Sequence, residues 1–407
     1  MRCSHLNRAL GIKLQLEVNV NIDYRVSFHP VGQGLFCTGM VFMEGAPVFT
    51  FVYDCGTSSQ QKLLDDAIDK LQFAYDIDLL TISHFDNDHI SGLGRLLNKH
   101  KVKTLLLPAL NLDERLYIAY SNGVGVSDNI ISFYIDPVKY LLSKYDDRID
   151  KIILVPSGKS EASEIDNIYG DEELHIDVES IVSDNPKVEI LKVGGRLVYK
   201  SIFEFVPYND SSIQTKINKS FCNSVKKESD VFLNSSGVNN IQAALARVRD
   251  SFDKNFGKSA LKRNVISLYL FAGPCVSNTR YLDGVVFNEN EYVVHQSWID
   301  SSTIADGLLF SGDGYLDSKK NLDSLMTFYG KDRMSRIACF QVMHHGARGC
   351  WHAGVAKALS PCFSVFSSDP DRAPLKHPHA EVVRDFLPYG PIQVDKKRHF
   401  TINFFSF

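Results

Sequence analysis

The sequence lacks long apolar runs, cysteine pairs at metal-binding spacing and any excess of basic residues. No run of about 18 consecutive apolar residues occurs, so we expect no membrane-spanning helix. The eight cysteines are scattered without a C-x-x-C pair, which argues against a zinc ribbon. The formal net charge is −4, so any contact with nucleic acid must come from a local basic surface.

The N-terminal segment also lacks the features of an export signal. The stretch MRCSHLNRALGIKLQLEVNV has no continuous apolar core followed by a small-residue cleavage site. A chain of 407 residues with 44% hydrophobic residues can build a sizeable core without disulfides. We therefore expect a cytoplasmic protein without membrane attachment.

Strand-like and helix-like patterns alternate along much of the chain. Residues 14–53 are β-rich, with a hairpin predicted around Glu44–Pro47. The spacing over 58–72 predicts a helix, and the apolar run over 76–83 predicts a buried strand. The polar, Ser/Asn-rich stretch 209–240 predicts a long loop. This alternation favours a layered α/β domain.

A cluster of imidazole and carboxylate side chains follows the predicted strand at 76–83. The stretch TISHFDNDHISGL contains His84, Asp86, Asp88 and His89. These are the side chains that hold divalent metals at neutral pH. Because alternate residues after a strand point the same way, His84 and Asp86 can share one ion. Asp88 and His89 lie further on and can meet a second ion.

Further ligand types recur at the ends of other apolar strands. A single His or Asp in such a position is commonly a helix cap or a surface residue. The recurrence at several strand ends favours a metal centre assembled from distant segments. The additional candidates are Asp54, Asp313, His344, His345, His377 and His379.

These motifs together resemble the metallo-β-lactamase fold and, within it, the soluble hydrolase domain of ComEC-type DNA-uptake proteins. At three positions the sequence departs from that group: Pro30 and Leu35 replace acidic residues, and Ala347 replaces a serine. The membrane channel of the uptake proteins has no counterpart, so DNA import does not carry over. The similar segments are FHPVGQGLF (28–36), VYDCG (52–56), SHFDNDHISG (83–92), NVISLYL (264–270), LLFSGD (308–313), VMHHGARG (342–349) and LKHPHAEVV (375–383).

The resemblance implies an α/β fold of four layers, αββα, with metal ligands on loops at one edge of two stacked sheets. It assigns residues 1–109 to the first half of the domain and residues 264–407 to the second half. Residues 110–263 are then an insertion or cap region, through which a protein partner could bind.

The resemblance also implies a centre of two divalent ions, Zn²⁺ or Mn²⁺. His84 and Asp86 would hold the first ion, and Asp88 and His89 the second. Asp313 would bridge both ions. A carboxylate at position 86 makes manganese as plausible as zinc, because it is a hard anionic ligand. Asp88 is also a candidate proton acceptor during catalysis.

The remaining histidines are less constrained by the resemblance. His377 would be the later ligand of the second ion. His344 or His345 would complete the first ion or contact the substrate, and the spacing does not decide between them. Asp54 would orient ligands without binding an ion, and His379 is a second residue of that kind. The middle histidine of the wider fold family has no clear counterpart, and His295 is the candidate for it.

The reaction implied by the resemblance is hydrolysis by a hydroxide held between the two ions. The favoured substrate is a phosphodiester, DNA above all, and the basic stretches 247–263 and 396–398 could contact phosphates. One alternative is a small substrate such as a cyclic nucleotide, phosphocholine ester, lactone or thioester. A further alternative is a metal-stabilised scaffold that binds a protein partner.

Overall fold

The computed structural model describes most of the chain, and the fold and the site are those of the described part. Across it, no helix combines the length and the apolar character needed to cross a bilayer. The described residues are 22–71, 76–158, 161–162, 173–179, 183–210, 217–234, 237–257, 267–277, 279–288, 291–297, 305–372 and 376–406.

The strands of the described part, numbered along the chain, form two mixed sheets. The first sheet has ten strands in the order β13-β12-β18-β1-β2-β3-β4-β5-β6-β8, and the second has eight in the order β17-β16-β15-β14-β11-β10-β9-β7. Their bounds are β1 Ile22–Phe28, β2 Phe36–Met43, β3 Ala46–Cys55, β4 Ile77–Thr81, β5 Val102–Pro108, β6 Ile149–Val155, β7 Leu174–Ile176, β8 Val188–Ile190, β9 Leu197–Tyr199, β10 Phe203–Asn209, β11 Leu268–Pro274, β12 Thr279–Asn288, β13 Glu291–Ser297, β14 Gly307–Phe310, β15 Ile337–Gln341, β16 Phe363–Ser367, β17 Pro391–Val394 and β18 His399–Ser406.

Helices lie along both outer faces of the sheets. Short 3₁₀ turns cover Asp146–Arg148, Met343–Gly346 and Arg348–Cys350. The α-helices are α1 Gln61–Asp69, α2 Asn87–Ile90, α3 Leu93–Lys99, α4 Leu112–Ser121, α5 Ile131–Ile135, α6 Pro137–Tyr145, α7 Lys219–Asn234, α8 Val238–Phe256, α9 Lys319–Ser335, α10 Val355–Leu359 and α11 Ala380–Phe386.

Three hydrophobic cores separate four layers. The central core joins the facing sides of the two sheets, for example Phe51 on β3 with Phe203 on β10. A second core lies between the first sheet and helices α1 and α3 to α8. A third lies between the second sheet and helices α9 to α11. Central strands such as β4 and β15 therefore bury both faces, as the predicted αββα fold requires, whereas β1 and β18 bury alternate residues.

The parallel strands bring their carboxyl ends to one edge of the molecule. Strands β3 to β6 pair in parallel in the first sheet, and β14 to β17 do so in the second. Loops that follow the carboxyl ends of parallel strands form the usual ligand site of open α/β sheets. The His/Asp motifs follow β4, β14 and β15, so the topology collects them at this edge.

The local predictions had mixed outcomes. The hairpin around Glu44–Pro47 is confirmed by β2 and β3. The predicted loop over 209–240 is wrong for its central part, because 219–234 is helix α7. The apolar residues Phe221, Val225 and Phe232 fall on one helical face and enter the core. The polar composition around them hid this face.

The segment 110–263 contributes to both sheets as well as to the helical layer. Strands β6 and β8 extend the first sheet, and β7, β9 and β10 extend the second. The described part of the segment therefore joins the common cores, and its division from the two halves of the domain stays a prediction.

Candidate metal centre

A buried carboxylate at the end of β3 organises the first motif. Asp54 accepts hydrogen bonds from the Ser83 backbone N–H at 2.7 Å and from the Ser83 hydroxyl at 2.6 Å. It also accepts one from His89 Nδ1 at 2.7 Å. Burial raises the pKa of Asp54, while His89 and Ser83 oppose the rise. Asp54 thus fixes the orientation of the loop that follows β4, and the role that the resemblance implies for it, orienting metal ligands, stays a prediction.

These hydrogen bonds determine which nitrogen of each imidazole can bind a metal. His89 donates from Nδ1 to Asp54, so in the neutral ring the lone pair is on Nε2. The Ser83 hydroxyl proton is committed to Asp54, so Ser83 Oγ accepts from His84 Nδ1 at 2.9 Å. His84 Nε2 therefore also keeps its lone pair. Hydrogen bonds of this kind commonly orient metal-binding histidines.

The two histidines after β15 lie in a strained turn. His344 and His345 have left-handed backbone angles, with φ of 46° and 57°, which is uncommon for residues other than glycine. His345 donates from Nδ1 to the Ser367 carbonyl at 2.5 Å, which leaves the lone pair on Nε2. Such backbone conformations concentrate at functional sites, where surrounding contacts hold them in place.

Asp313, which follows β14, faces two different sets of nitrogen atoms. Its Oδ1 lies 3.1 Å from His89 Nε2 and 3.6 Å from His345 Nε2. Its Oδ2 lies 3.7 Å from both His84 Nε2 and His344 Nδ1. Asp313 therefore directs one carboxylate oxygen to each set of nitrogen atoms.

The side chains in the centre fit a cation. Ligand atoms of Asp88, His89, Asp313 and His345 all lie within 4.8 Å of one another. His89 Nε2 and His345 Nε2 are buried without a hydrogen-bond partner among the described residues. Lone pairs that face carboxylate oxygens in a buried site are costly unless a positive charge lies between them. A divalent ion would bind all four residues.

A smaller ligand pair adjoins this four-residue group. His84 Nε2 lies 3.8 Å from Asp86 Oδ2. The other oxygen of Asp86 accepts a hydrogen bond from Asn122 Nδ2. His84 and Asp86 thus stand on the Oδ2 side of Asp313, where a first ion was predicted.

The pKa shifts of Asp86 and His89 result from the same concentration of buried charge. Burial, followed by the charges of Asp88 and Asp313, raises the pKa of Asp86 to about 7. Burial by itself lowers the pKa of His89, but the carboxylates of Asp313 and Asp54 raise it well above its ordinary value. Without an ion, bound protons balance the negative charge of the carboxylates. A divalent ion would displace those protons.

His377 and His379 lie next to the four-residue group and are not part of it. The His377 ring centroid is 5.8 Å from that of His344 and 6.3 Å from that of His345. Burial, followed by the charges of His345 and His344, lowers the pKa of His377 to about 3. His379 contacts the His377 ring and accepts a hydrogen bond at Nδ1 from the Arg348 backbone N–H at 3.3 Å. The side chain of His295 lies outside the described residues.

Several polar residues that support the centre were not predicted. Ser83 stands next to His84 within the motif, so its position was the one available signal. Gln33, Asn122 and Ser367 come from distant segments and contact His377, Asp86 and His345 respectively. No spacing in the sequence relates these pairs. Asn122, on the segment 110–263, brings that segment into contact with the centre.

The comparisons with known proteins agree with this class of site. Residues 46–111 match the family model of the metallo-beta-lactamase superfamily. This stretch contains Asp54 and the His84–His89 motif, so this part of the chain is similar to the metallo-β-lactamase superfamily domain. The two sheets between helices form an α/β fold of the metallo-β-lactamase type. No curated protein matches the chain.

Two solved structures show distant similarity. One is a chemotaxis sensor ODP described as a peroxy diiron species, with 16% identity and a TM-score of 0.19. That match covers 33% of this chain and only 42% of the sensor chain. The other is the metallo-beta-lactamase fold protein YhfI from Bacillus subtilis, with 10% identity and a TM-score of 0.29. It covers 93% of this chain and 98% of that one.

Proposed function

We propose that this protein is a metal-dependent hydrolase of phosphodiesters, with DNA as the favoured substrate. The observation that carries the proposal is the convergence of Asp88, His89, Asp313 and His345 on one buried position. The sequence resemblance to the ComEC-type hydrolase domain supports the phosphodiester and the nuclease activity.

The same residues indicate which side chains would hold the ions. His84 and Asp86, with Oδ2 of Asp313, would hold one ion. The other would be held by Asp88, His89 and His345, with Oδ1 of Asp313. Bound ions of this kind supply a nucleophile from water at neutral pH and stabilise negative charge on the reacting group. The three carboxylates favour Mn²⁺ at least as strongly as Zn²⁺.

The basic residues give unequal support to nucleic acid as the substrate. In the run 247–263, Arg247 pairs with Glu228 at 2.7 Å and Arg249 donates to the Val124 carbonyl at 3.2 Å. These two cations are engaged within the helical layer, and residues 258–263 lie outside the described residues. The turn at 396–398 is linked to the residues around the centre, because Lys396 pairs at 2.8 Å with Asp369, whose backbone N–H donates to Gln33.

A small-substrate hydrolase is the second candidate, and a specific contact favours it. Asn122 reaches Asp86, and Tyr134 donates to the Phe85 carbonyl at 2.6 Å. The segment 110–263 therefore packs directly against the predicted first ion site. A wall at this position would favour a compact substrate such as a cyclic nucleotide over duplex DNA.

Incubation of the protein with Mn²⁺ or Zn²⁺ tests both candidates in parallel. The substrates are plasmid DNA, single-stranded oligonucleotides, cyclic nucleotides and bis(p-nitrophenyl) phosphate. A nuclease cleaves the first two, whereas a small-substrate enzyme cleaves only the latter pair. The double variant Asp88→Ala, His89→Ala controls for contaminating enzymes. Absence of hydrolysis with every ion would contradict the phosphodiesterase proposal and leave a lactone, a thioester or partner binding through 110–263.

A further inference from the structure

The HPH loop, residues 377–379, carries two histidines that accept hydrogen bonds at Nδ1. The metal-facing histidines His89 and His345 instead donate from Nδ1. We propose that His377 donates a hydrogen bond from Nε2 to a phosphoryl oxygen of the substrate and does not bind a metal, and that Gln33 sets its tautomer. The assignment of the substrate oxygen rests on the proposed phosphodiesterase function. The assignment of the His377 tautomer depends only on hydrogen bonds within the protein.

The orientation of the Gln33 amide follows from a backbone contact. The Asp369 backbone N–H lies 3.3 Å from Gln33 Oε1, and a backbone N–H can only donate. Gln33 Oε1 is therefore the acceptor, and the amide nitrogen is the atom that faces His377 Nδ1 at 3.4 Å. An amide nitrogen also only donates. His377 Nδ1 must accept, so the neutral ring carries its hydrogen on Nε2.

The metal-facing histidines have the reverse arrangement. His89 donates from Nδ1 to the Asp54 carboxylate, and His345 donates from Nδ1 to the Ser367 carbonyl. Both keep the Nε2 lone pair that a metal requires. An N–H at Nε2 of His377 offers no lone pair there, and its positive end would be repelled by a cation. It is instead a donor for an anionic oxygen.

The position of His377 suits contact with a substrate bound at the centre. The residue is 6% exposed, and its Nε2 has no hydrogen-bond partner among the described residues. Its ring centroid lies 5.8 Å from that of His344 and 6.3 Å from that of His345. His379 also accepts at Nδ1, from the Arg348 N–H, and so has the same tautomer. The HPH loop thus presents N–H donors beside residues with metal-binding lone pairs.

A closely packed loop holds Gln33 in place. Its backbone N–H donates to Ser59 Oγ at 2.9 Å, and its carbonyl accepts from the Ser58 N–H at 2.7 Å. At Gly34, where φ is +157°, a Cβ would lie 2.3 Å from the Gly56 carbonyl oxygen. The glycine permits this close approach of two loops, and Gln33 itself is 1% exposed. These buried contacts fix the position of Gln33 and therefore the tautomer of His377.

Metal content distinguishes a donor from a ligand. His377→Ala and His345→Ala are loaded with Mn²⁺ and desalted, and bound metal is measured by mass spectrometry. We expect His377→Ala to retain the wild-type stoichiometry and His345→Ala to lose about one equivalent. Loss of an equivalent from His377→Ala would identify His377 as a ligand and overturn the proposal.

Nuclear magnetic resonance reads the tautomer directly. In Zn²⁺-loaded protein with ¹⁵N-labelled histidine, the His377 signals are those missing from His377→Gln. We expect the hydrogen on Nε2 in the wild type and on Nδ1 in Gln33→Glu, because a carboxylate at position 33 only accepts. Hydrogen on Nδ1 of the wild type would contradict the proposed role of Gln33.

Hydrolysis of bis(p-nitrophenyl) phosphate tests the contact with substrate. Removal of one donor to a developing negative charge lowers kcat by about 10²-fold or more. We expect such a fall in His377→Ala, partial rescue in His377→Gln, which keeps a donor, and a fall in Gln33→Glu with unchanged metal content. Unchanged kcat in a folded, metal-loaded His377→Ala would refute the donor role while leaving phosphodiesterase activity intact. If the wild type is inactive, the proposed function fails, and metal content and tautomer still decide the assignment of His377.

Discussion

Two buried polar clusters in this molecule are built around carboxylates, yet the negative charge is balanced in different ways. One is the candidate metal centre around Asp313. The other surrounds Glu204 on β10, where Arg333 contacts both carboxylate oxygens at 2.8 and 2.9 Å. Arg196 adds a third contact at 3.1 Å. Glu204 and Asp313 are equally buried, with 0% and 1% exposure.

The difference lies in the partner side chains. Guanidinium is always charged and carries only donors, so the negative charge of Glu204 is balanced by side chains of the protein itself. Imidazoles that donate from Nδ1 direct lone pairs towards Asp313, and two lone pairs cannot bond to each other. Glu204 is therefore matched by cationic side chains, whereas Asp313 is matched by a divalent ion or, without one, by protons on the imidazoles. Substitutions in each cluster, removal of the ion and a change of pH should separate the two arrangements.

Asp313→Ala should abolish activity, with a fall of more than about 10³-fold in kcat, because Asp313 faces both ion positions. Bound metal should fall in parallel, as measured by mass spectrometry. Asp323→Ala removes an exposed carboxylate paired with Lys319 and serves as the control. Retention of metal and activity in Asp313→Ala would contradict the assignment of the centre.

Glu204→Gln should destabilise the fold by about 3–5 kcal/mol, because Arg333 and Arg196 keep their buried charges without a counter-ion. Denaturant unfolding measures this loss. Metal content per folded molecule should not change. A variant that lost metal while remaining stable would show that the two clusters are not separate in function.

Removal of metal by a chelator should lower the melting temperature of the wild type. An ion present at about 100–1,000 times its Kd stabilises the folded state by about 2.7–4.1 kcal/mol. Glu204→Gln should respond to added Mn²⁺ as the wild type does, whereas Asp313→Ala should not respond. Equal responses in both variants would place the stabilising ion elsewhere.

The stabilisation by Mn²⁺ should decrease as the pH falls. In the ion-free protein the carboxylates of Asp313 and Asp54 raise the pKa of His89, so the ion must displace a proton. Each displaced proton makes ion binding weaker at lower pH, by up to about 1.4 kcal/mol per pH unit. Melting temperatures with and without Mn²⁺ at about pH 6, 7 and 8 measure the trend. A gain in stabilisation towards acid would be inconsistent with histidine ligands.

Asn122→Ala should have the smallest effect, a loss of about 10-fold in metal affinity, because Asn122 only orients Asp86 through its hydrogen bond. Titration with Mn²⁺, followed by calorimetry, measures the affinity. Asn129→Ala, an exposed residue of the same segment, is the matched control. Equal affinities in the two variants would remove Asn122 from the support of the centre.

Local patterns were sufficient for the elements that depend on neighbouring residues. The hairpin at Glu44–Pro47 and the strand β4 follow from periodicity and turn chemistry. Helix α7 did not follow from such patterns, because its buried face consists of only three apolar residues in a polar stretch. That face became visible only through the core against which it packs.

The sequence by itself determined the chemical character of the centre. The spacing of His84, Asp86, Asp88 and His89 after an apolar strand specifies metal-binding side chains at a strand end, since local geometry fixes where consecutive residues point. Only the tertiary structure decided which later histidines face the ion positions and which tautomers they adopt. The reason is that the atoms bound to each Nδ1, in Asp54, Ser367 and Gln33, belong to segments that approach one another only when the two sheets stack.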